Sequence, residues 1–122
     1  MINLLARADS LQVRGEAHLK TYRARIQREA DSTPRPSGHA RLFCSECGSH
    51  LWARHDRWPE LIHPVASSVD TPLPRSPSHS HIFLRSKPEW IPLEKAPEDE
   101  TFETYPRESL ESWHRRRDLY EG

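Results

Sequence analysis

The residues of this chain best placed to do chemistry are its two cysteines, in Cys44-Ser45-Glu46-Cys47-Gly48, with Arg41-Leu42-Phe43 before and Ser49-His50-Leu51-Trp52-Ala53 after. Two intervening residues let both sulfurs point at one ion. The glycine that follows lets the backbone turn with φ > 0, which frees amide N–H groups to face the thiolates. Zinc suits such a pair because it binds thiolate at about 2.3 Å in a tetrahedral arrangement. A structural zinc takes four ligands, and one Cys-x-x-Cys supplies half of them.

Three other readings compete. A thioredoxin-like redox pair opens a helix within a βαβ unit, whereas Ser49 to Ala53 reads as a strand. A finger with two Cys and two His needs its histidine pair about a dozen residues downstream, and His50 and His55 come too soon. The blandest reading is a pair of ordinary thiols without a ligand. Eight histidines could complete a site: His18, His39, His50, His55, His63, His79, His81 and His114. His50, His63 and His81 stand in the most structured-looking stretches and are the better candidates, although a histidine in a polar chain is usually a surface residue. Trp52, Trp58, Trp90 and Trp113 could form a stacking surface for bases. The stronger expectation is that a small polar chain uses them to build its core.

The elements that must position the thiols are short. Leu4 to Val13 reads weakly as strand and stops at Gly15. Glu16 to Arg28 has few breakers and places Leu19, Tyr22 and Ile26 at helical spacing, which predicts a short helix near 16–28. Asp31 to Gly38, with Ser, Thr, two Pro and Gly, is a loop. Arg41-Leu42-Phe43 leads into the cysteine turn, and Ser49 to Ala53 is the return strand. Residues 54–63 are polar and aromatic, with Pro59 as a breaker. Val65 to Val69 is short and apolar and ends in the turn Asp70-Thr71-Pro72. Pro72 to His79 is loop, His81 to Leu84 strand, Lys87 to Pro92 extended, and Lys95 to Glu100 charged linker. Pro106 to Tyr120 predicts a terminal helix, with Leu110, Trp113 and Arg117 on one face and Arg115 to Arg117 where cations suit the dipole. The fold class is mainly β.

Composition bounds the rest. The 122 residues fit one domain, with 34% hydrophobic residues, 30% charged residues and 11 prolines. So polar a chain buries a small core, and small cores often lean on a metal, a disulfide or a partner. The formal net charge is zero, which argues against a general electrostatic role on nucleic acid or anionic membrane. No segment reaches the ~18–20 apolar residues of a membrane span, and the apolar run at Met1 to Leu5 is too short for a secretory signal. The chain is therefore expected to be soluble and cytoplasmic, where closely spaced cysteines favour metal or redox chemistry over a structural disulfide.

Phe43-Cys44-Ser45-Glu46-Cys47-Gly48-Ser49-His50-Leu51-Trp52 resembles the second zinc-knuckle motif of the GFA/CENP-V family, the glutathione-dependent formaldehyde-activating enzymes. The flanks agree. Leu11 to Gly15 followed by Leu19-Lys20-Thr21-Tyr22 is similar to the strand and L-x-x-Y segment ahead of that knuckle. Val65 to Pro72 is similar to the small-residue strand and Asp turn after it, and His81-Ile82-Phe83 with Glu89-Trp90-Ile91 to the closing segment. The resemblance runs from about residue 5 to 93. It implies a partial, Mss4-like fold of small sheets over 1–93, followed by a charged linker and helix over 94–122. It also implies zinc, with Cys44 and Cys47 as the late structural pair. The implied activity is that of a carbon–sulfur lyase, read in reverse as joining formaldehyde to glutathione. No cysteine stands where the family has its early Cys-x-Cys or its three-cysteine catalytic zinc site, so the chain is expected to be an N-terminally shortened version. Two readings follow: a lyase acting on glutathione-type thiol adducts, or a non-catalytic remnant stabilised by zinc or by a partner, such as a second copy in a homodimer.

Overall fold

The computed structural model describes residues 2–28 and 30–120. It is mainly β, as the sequence predicts, and its contacts divide the chain into two units, Met1–Leu73 and Pro74–Gly122.

The first unit is a five-stranded antiparallel sheet. Its strands are β1 (Ala6–Arg7), β2 (Leu19–Ile26), β3 (Arg35–Cys44), β4 (His50–His55) and β5 (Trp58–Pro64), in the spatial order β1-β5-β4-β3-β2. The helix expected near 16–28 is not formed. Glu16–His18 make one 3₁₀ turn, entered through Gly15 at φ 76°, and Leu19–Ile26 are strand. The helical spacing of Leu19, Tyr22 and Ile26 does not mark a buried stripe, since Tyr22 is 54% exposed. Cross-strand pairing decides the outcome: Leu19 to Arg23 pair with Cys44 to Ala40, and β-prone Thr21, Tyr22 and Ile26 suit that role.

The loop expected over Asp31 to Gly38 is also partly strand, because β3 begins at Arg35. Pro36 is tolerated there. It lies opposite Arg25 on β2, while pairing with β4 starts only at His39, so its missing N–H leaves no gap in the ladder. Pro59 likewise does not break β5, and His55 pairs with Trp58 across a tight Asp56-Arg57 turn. The strand expected from Leu4 shrinks to β1 and a 3₁₀ turn at Ala8–Ser10.

Register assigns the two faces. Ala40, Leu42, Trp52, Ile62 and Pro64 share one, and His39, Arg41, Ala53, His55 and His63 the other. The buried apolar residues are Ala40, Leu42, Ala53, Ile62 and Val65. The tryptophans contribute unevenly: Trp52 is half-buried opposite Leu42, whereas Trp58 is 45% and Trp90 82% exposed.

The second unit pairs β6 (Ser80–His81) with β7 (Glu100–Thr101) in parallel. The strand expected over His81 to Leu84 ends at His81. Phe83 turns left-handed at φ 59° and starts a 3₁₀ turn, fixed by edge-on stacking with Tyr105 at 4.7 Å and by its N–H donating to the Thr104 carbonyl at 2.9 Å. The segment Lys95 to Glu100 is not plain linker, for Asp99 is buried. Its carboxylate accepts the N–H groups of His79 at 2.7 Å and Ala96 at 3.0 Å and meets His81 Nε2 at 3.1 Å. These bonds hold its pKa far below the usual carboxylate range. The terminal helix is shorter than expected, α1 (Leu110–Arg115), capped by Ser109 Oγ accepting from the Ser112 N–H. Among the described residues no helix is long and apolar enough to cross a membrane.

Candidate thiol site

Cys44 is the last residue of β3, opposite Leu19 on β2. The chain then turns back through Ser45 to Ser49. The Gly48 N–H donates to the Cys44 carbonyl and the Cys44 N–H to the Ser49 carbonyl, each at 2.9 Å. Gly48 takes φ 74°, the left-handed conformation read from the sequence, and a Cβ there would meet nothing within 4 Å. The turn is tied to the 3₁₀ segment before β2, where the Ser45 N–H donates to the His18 carbonyl at 2.8 Å. Side chains repeat the link, since His18 Nδ1 lies 3.1 Å from Glu46 Oε1.

Both thiols are free, Cys44 half-buried and Cys47 exposed. The Cys47 thiol donates to Ser49 Oγ at 3.2 Å. Once that proton leaves, the hydroxyl can rotate and donate in turn. This hydroxyl, then the Ser49 backbone N–H, then the neighbouring Cys44 thiol hold the Cys47 pKa below the ordinary thiol value. Cys47 is thus more readily ionised than an ordinary thiol.

Beside the turn lies an open groove of about 490 Å³ whose walls include Arg14, His18, Cys44, Glu46, Leu51 and Trp52. It combines a thiol, a guanidinium, an imidazole paired with a carboxylate, and an apolar side. A smaller depression of about 300 Å³ near Arg115, Asp118 and Tyr120 has no thiol or histidine among the described residues lining it.

The structure brings Cys44 and Cys47 together but does not add the histidines singled out from the sequence. His50 Nε2 lies 3.0 Å from the Trp52 carbonyl. His63 sits on β5 opposite Ala53, and its pKa is lowered mainly by burial. His81 lies in the second unit, held by Asp99. Among the described residues no group of three or more His, Cys, Asp or Glu side chains is placed to hold a metal ion. Sequence reading did not single out Arg14, His18 or Glu46 as site residues. Glu46 is inside the motif itself, but the approach of residues 14–18 becomes visible only once β2 is a strand paired with β3.

A Halomonas elongata protein whose name assigns it to the glutathione-dependent formaldehyde-activating enzymes is 45% identical over 121 residues, covering 99% of this chain and 73% of that protein. This chain belongs to the glutathione-dependent formaldehyde-activating enzyme family. No family model and no solved structure matches it. The likeness to this formaldehyde-activating relative spans both units, so it takes in the cysteine turn, the groove and the Asp99 cluster together.

Proposed function

We propose that the chain binds a glutathione-type thiol adduct in the groove beside Cys44 and acts there as a carbon–sulfur lyase. The observation that carries this reading is the groove's lining, set beside the family membership. Glutathione brings carboxylates, a thiol and little apolar surface. Arg14 is the group that would pair with a carboxylate, since a planar guanidinium matches it with two parallel hydrogen bonds. Leu51 and Trp52 would cover the remainder. In the synthetic direction the glutathione sulfur, as thiolate, adds to the carbonyl carbon of formaldehyde. A C–S bond forms, the C=O π pair moves to oxygen, and that oxygen takes a proton. His18, lining the groove and paired with Glu46, is our assignment for the proton carrier.

The family resemblance also implies zinc. Thiolates are the right kind of donor, and Cys44 and Cys47 would be its ligands. Their number falls short of the four that a structural zinc takes, so no step of the reaction is routed through the ion. The zinc, when bound, would fix the turn that forms one wall of the groove. The five-stranded antiparallel sheet is in keeping with the small-sheet, Mss4-like arrangement that the resemblance implies.

A second reading keeps the binding and drops the chemistry, since Arg14, Leu51 and Trp52 in the groove lining would suffice to hold the adduct. On that reading the chain binds the adduct without turning it over. The two are separated by following S-hydroxymethylglutathione formation from formaldehyde and glutathione by NMR. The first reading expects a rate above the uncatalysed one that falls by about tenfold or more in His18→Gln, in line with loss of a general acid–base group. A rate equal to the uncatalysed one, with glutathione still bound, selects the second.

A further inference from the structure

We propose that the turn at residues 88–91 is a docking element that seats the Trp90 indole in an apolar pocket of another protein, rimmed by Lys or Arg. Trp90 is 82% exposed, and Ile91 and Leu93 beside it are 38% and 37% exposed. A contiguous apolar run left in water is the informative kind of exposure, and an indole is its largest form.

The backbone beneath the indole is braced. The Ile91 N–H donates to the Pro88 carbonyl at 3.1 Å, closing a β-turn with Glu89 and Trp90 at its centre. Lys87 Nζ folds over this turn and donates to the Pro88 carbonyl at 3.0 Å and to the Ile91 carbonyl. Pro88 and Pro92 restrict the chain on either side. Both approaches are anchored within the same unit. Before the turn, the Leu84 N–H donates to the Phe102 carbonyl at 3.2 Å and the Arg85 N–H to the Glu103 carbonyl at 3.3 Å. After it, the buried Asp99 carboxylate takes the Ala96 N–H at 3.0 Å. A side chain presented on a braced turn loses little freedom on binding, and Trp is among the residues most enriched as interface anchors.

Charge selects the occupant. Glu89 and Glu94 are exposed at the two ends of the apolar run Trp90-Ile91-Pro92-Leu93, while the Lys87 ammonium is drawn onto the turn's own carbonyls. The first cation past the run is Lys95. A pocket that takes the indole and meets those carboxylates carries Lys or Arg at its rim. A second copy meeting this same patch across a two-fold axis would bring like carboxylates together, and an anionic membrane surface would repel them. The occupant is therefore a different protein.

The test puts a benzophenone amino acid in place of Trp90 in the full chain, within its source cells, and crosslinks with light. The captured protein is then purified and titrated against the unaltered chain, Trp90→Ala, Trp90→Phe and the double variant Glu89→Gln with Glu94→Gln. We expect the crosslink to fall on an apolar peptide with Lys or Arg beside it, and rising salt to weaken binding. Trp90→Ala should weaken it by about 30-fold or more, the loss typical of an anchor residue, and Trp90→Phe should restore most of it. The double variant should weaken binding and flatten its salt dependence. Crosslinks only to a second copy or to lipid would overturn the proposal. So would no crosslink at all, or a captured protein that binds Trp90→Ala as tightly as the unaltered chain. The groove beside Cys44 is lined by other residues, so the formation assay reads glutathione chemistry independently.

Discussion

The two residues after Cys47, Gly48 and Ser49, shape its surroundings: one lets the chain reverse and the other bonds the thiol. Gly48 lets the chain reverse at φ 74°, and a side chain in that region costs about 1–2 kcal/mol. Gly48→Ala should therefore lower unfolding stability by roughly that amount, read from urea denaturation, although nothing would clash with the added methyl. Ser49 supplies the first and largest influence lowering the Cys47 pKa. Ser49→Ala should raise that pKa and slow alkylation of Cys47 near pH 7.5, by roughly threefold, since the thiolate is the reacting form. An unchanged alkylation rate would show that the hydroxyl does not act on the sulfur. In the second unit Asp99→Asn should speed amide exchange at His79 and Ala96, whose N–H groups the carboxylate now holds.

The strands set the histidines' chemistry. His39 on β3, His55 on β4 and His63 on β5 share one face, with Arg41 among them. Burial, followed by Arg41 and the neighbouring histidines, lowers the His39 pKa, and burial lowers that of His63. The unfolded chain therefore takes up protons that the folded sheet resists. Stability is full above the ordinary histidine value of about 6.5 and falls as pH drops below it. The urea midpoint should be lower at pH 5.5 than at pH 7.5, with the difference reduced in His39→Gln; carboxylates such as Asp99 act only further into acid. The strands flanking the cysteine turn were legible in sequence because apolar runs bracket a turn signal there. β2 was not, since Leu19, Tyr22 and Ile26 fit a helix as well as a strand and only pairing with β3 resolves the choice. Asp99 was hidden for a related reason: a carboxylate among Glu and Lys reads as solvated until its N–H donors are seen. The cysteine pair needed no tertiary context, whereas Arg14 and His18 are brought to it by that same unforeseen strand.

The first unit is organised around a small aliphatic core of Ala40, Leu42, Ala53, Ile62 and Val65, and its Tyr22 and Trp58 are exposed. Leu42 is 8% exposed on the face it shares with Ala40 and Ile62, and Leu42→Ala should cost about 2–4 kcal/mol. That is a large share of the ~5–15 kcal/mol typical of a folded domain, so thermal unfolding should move to markedly lower temperature. The same sheet carries the cysteine turn and the groove, so loss of the core should abolish glutathione binding as well as order. The most direct measurement is glutathione titration of the isotope-labelled chain, followed by amide chemical shifts. Binding in the groove should give saturable shifts confined to residues 12–19 and 44–52, weakened in Arg14→Ala. Shifts elsewhere, or none at millimolar glutathione, would contradict it.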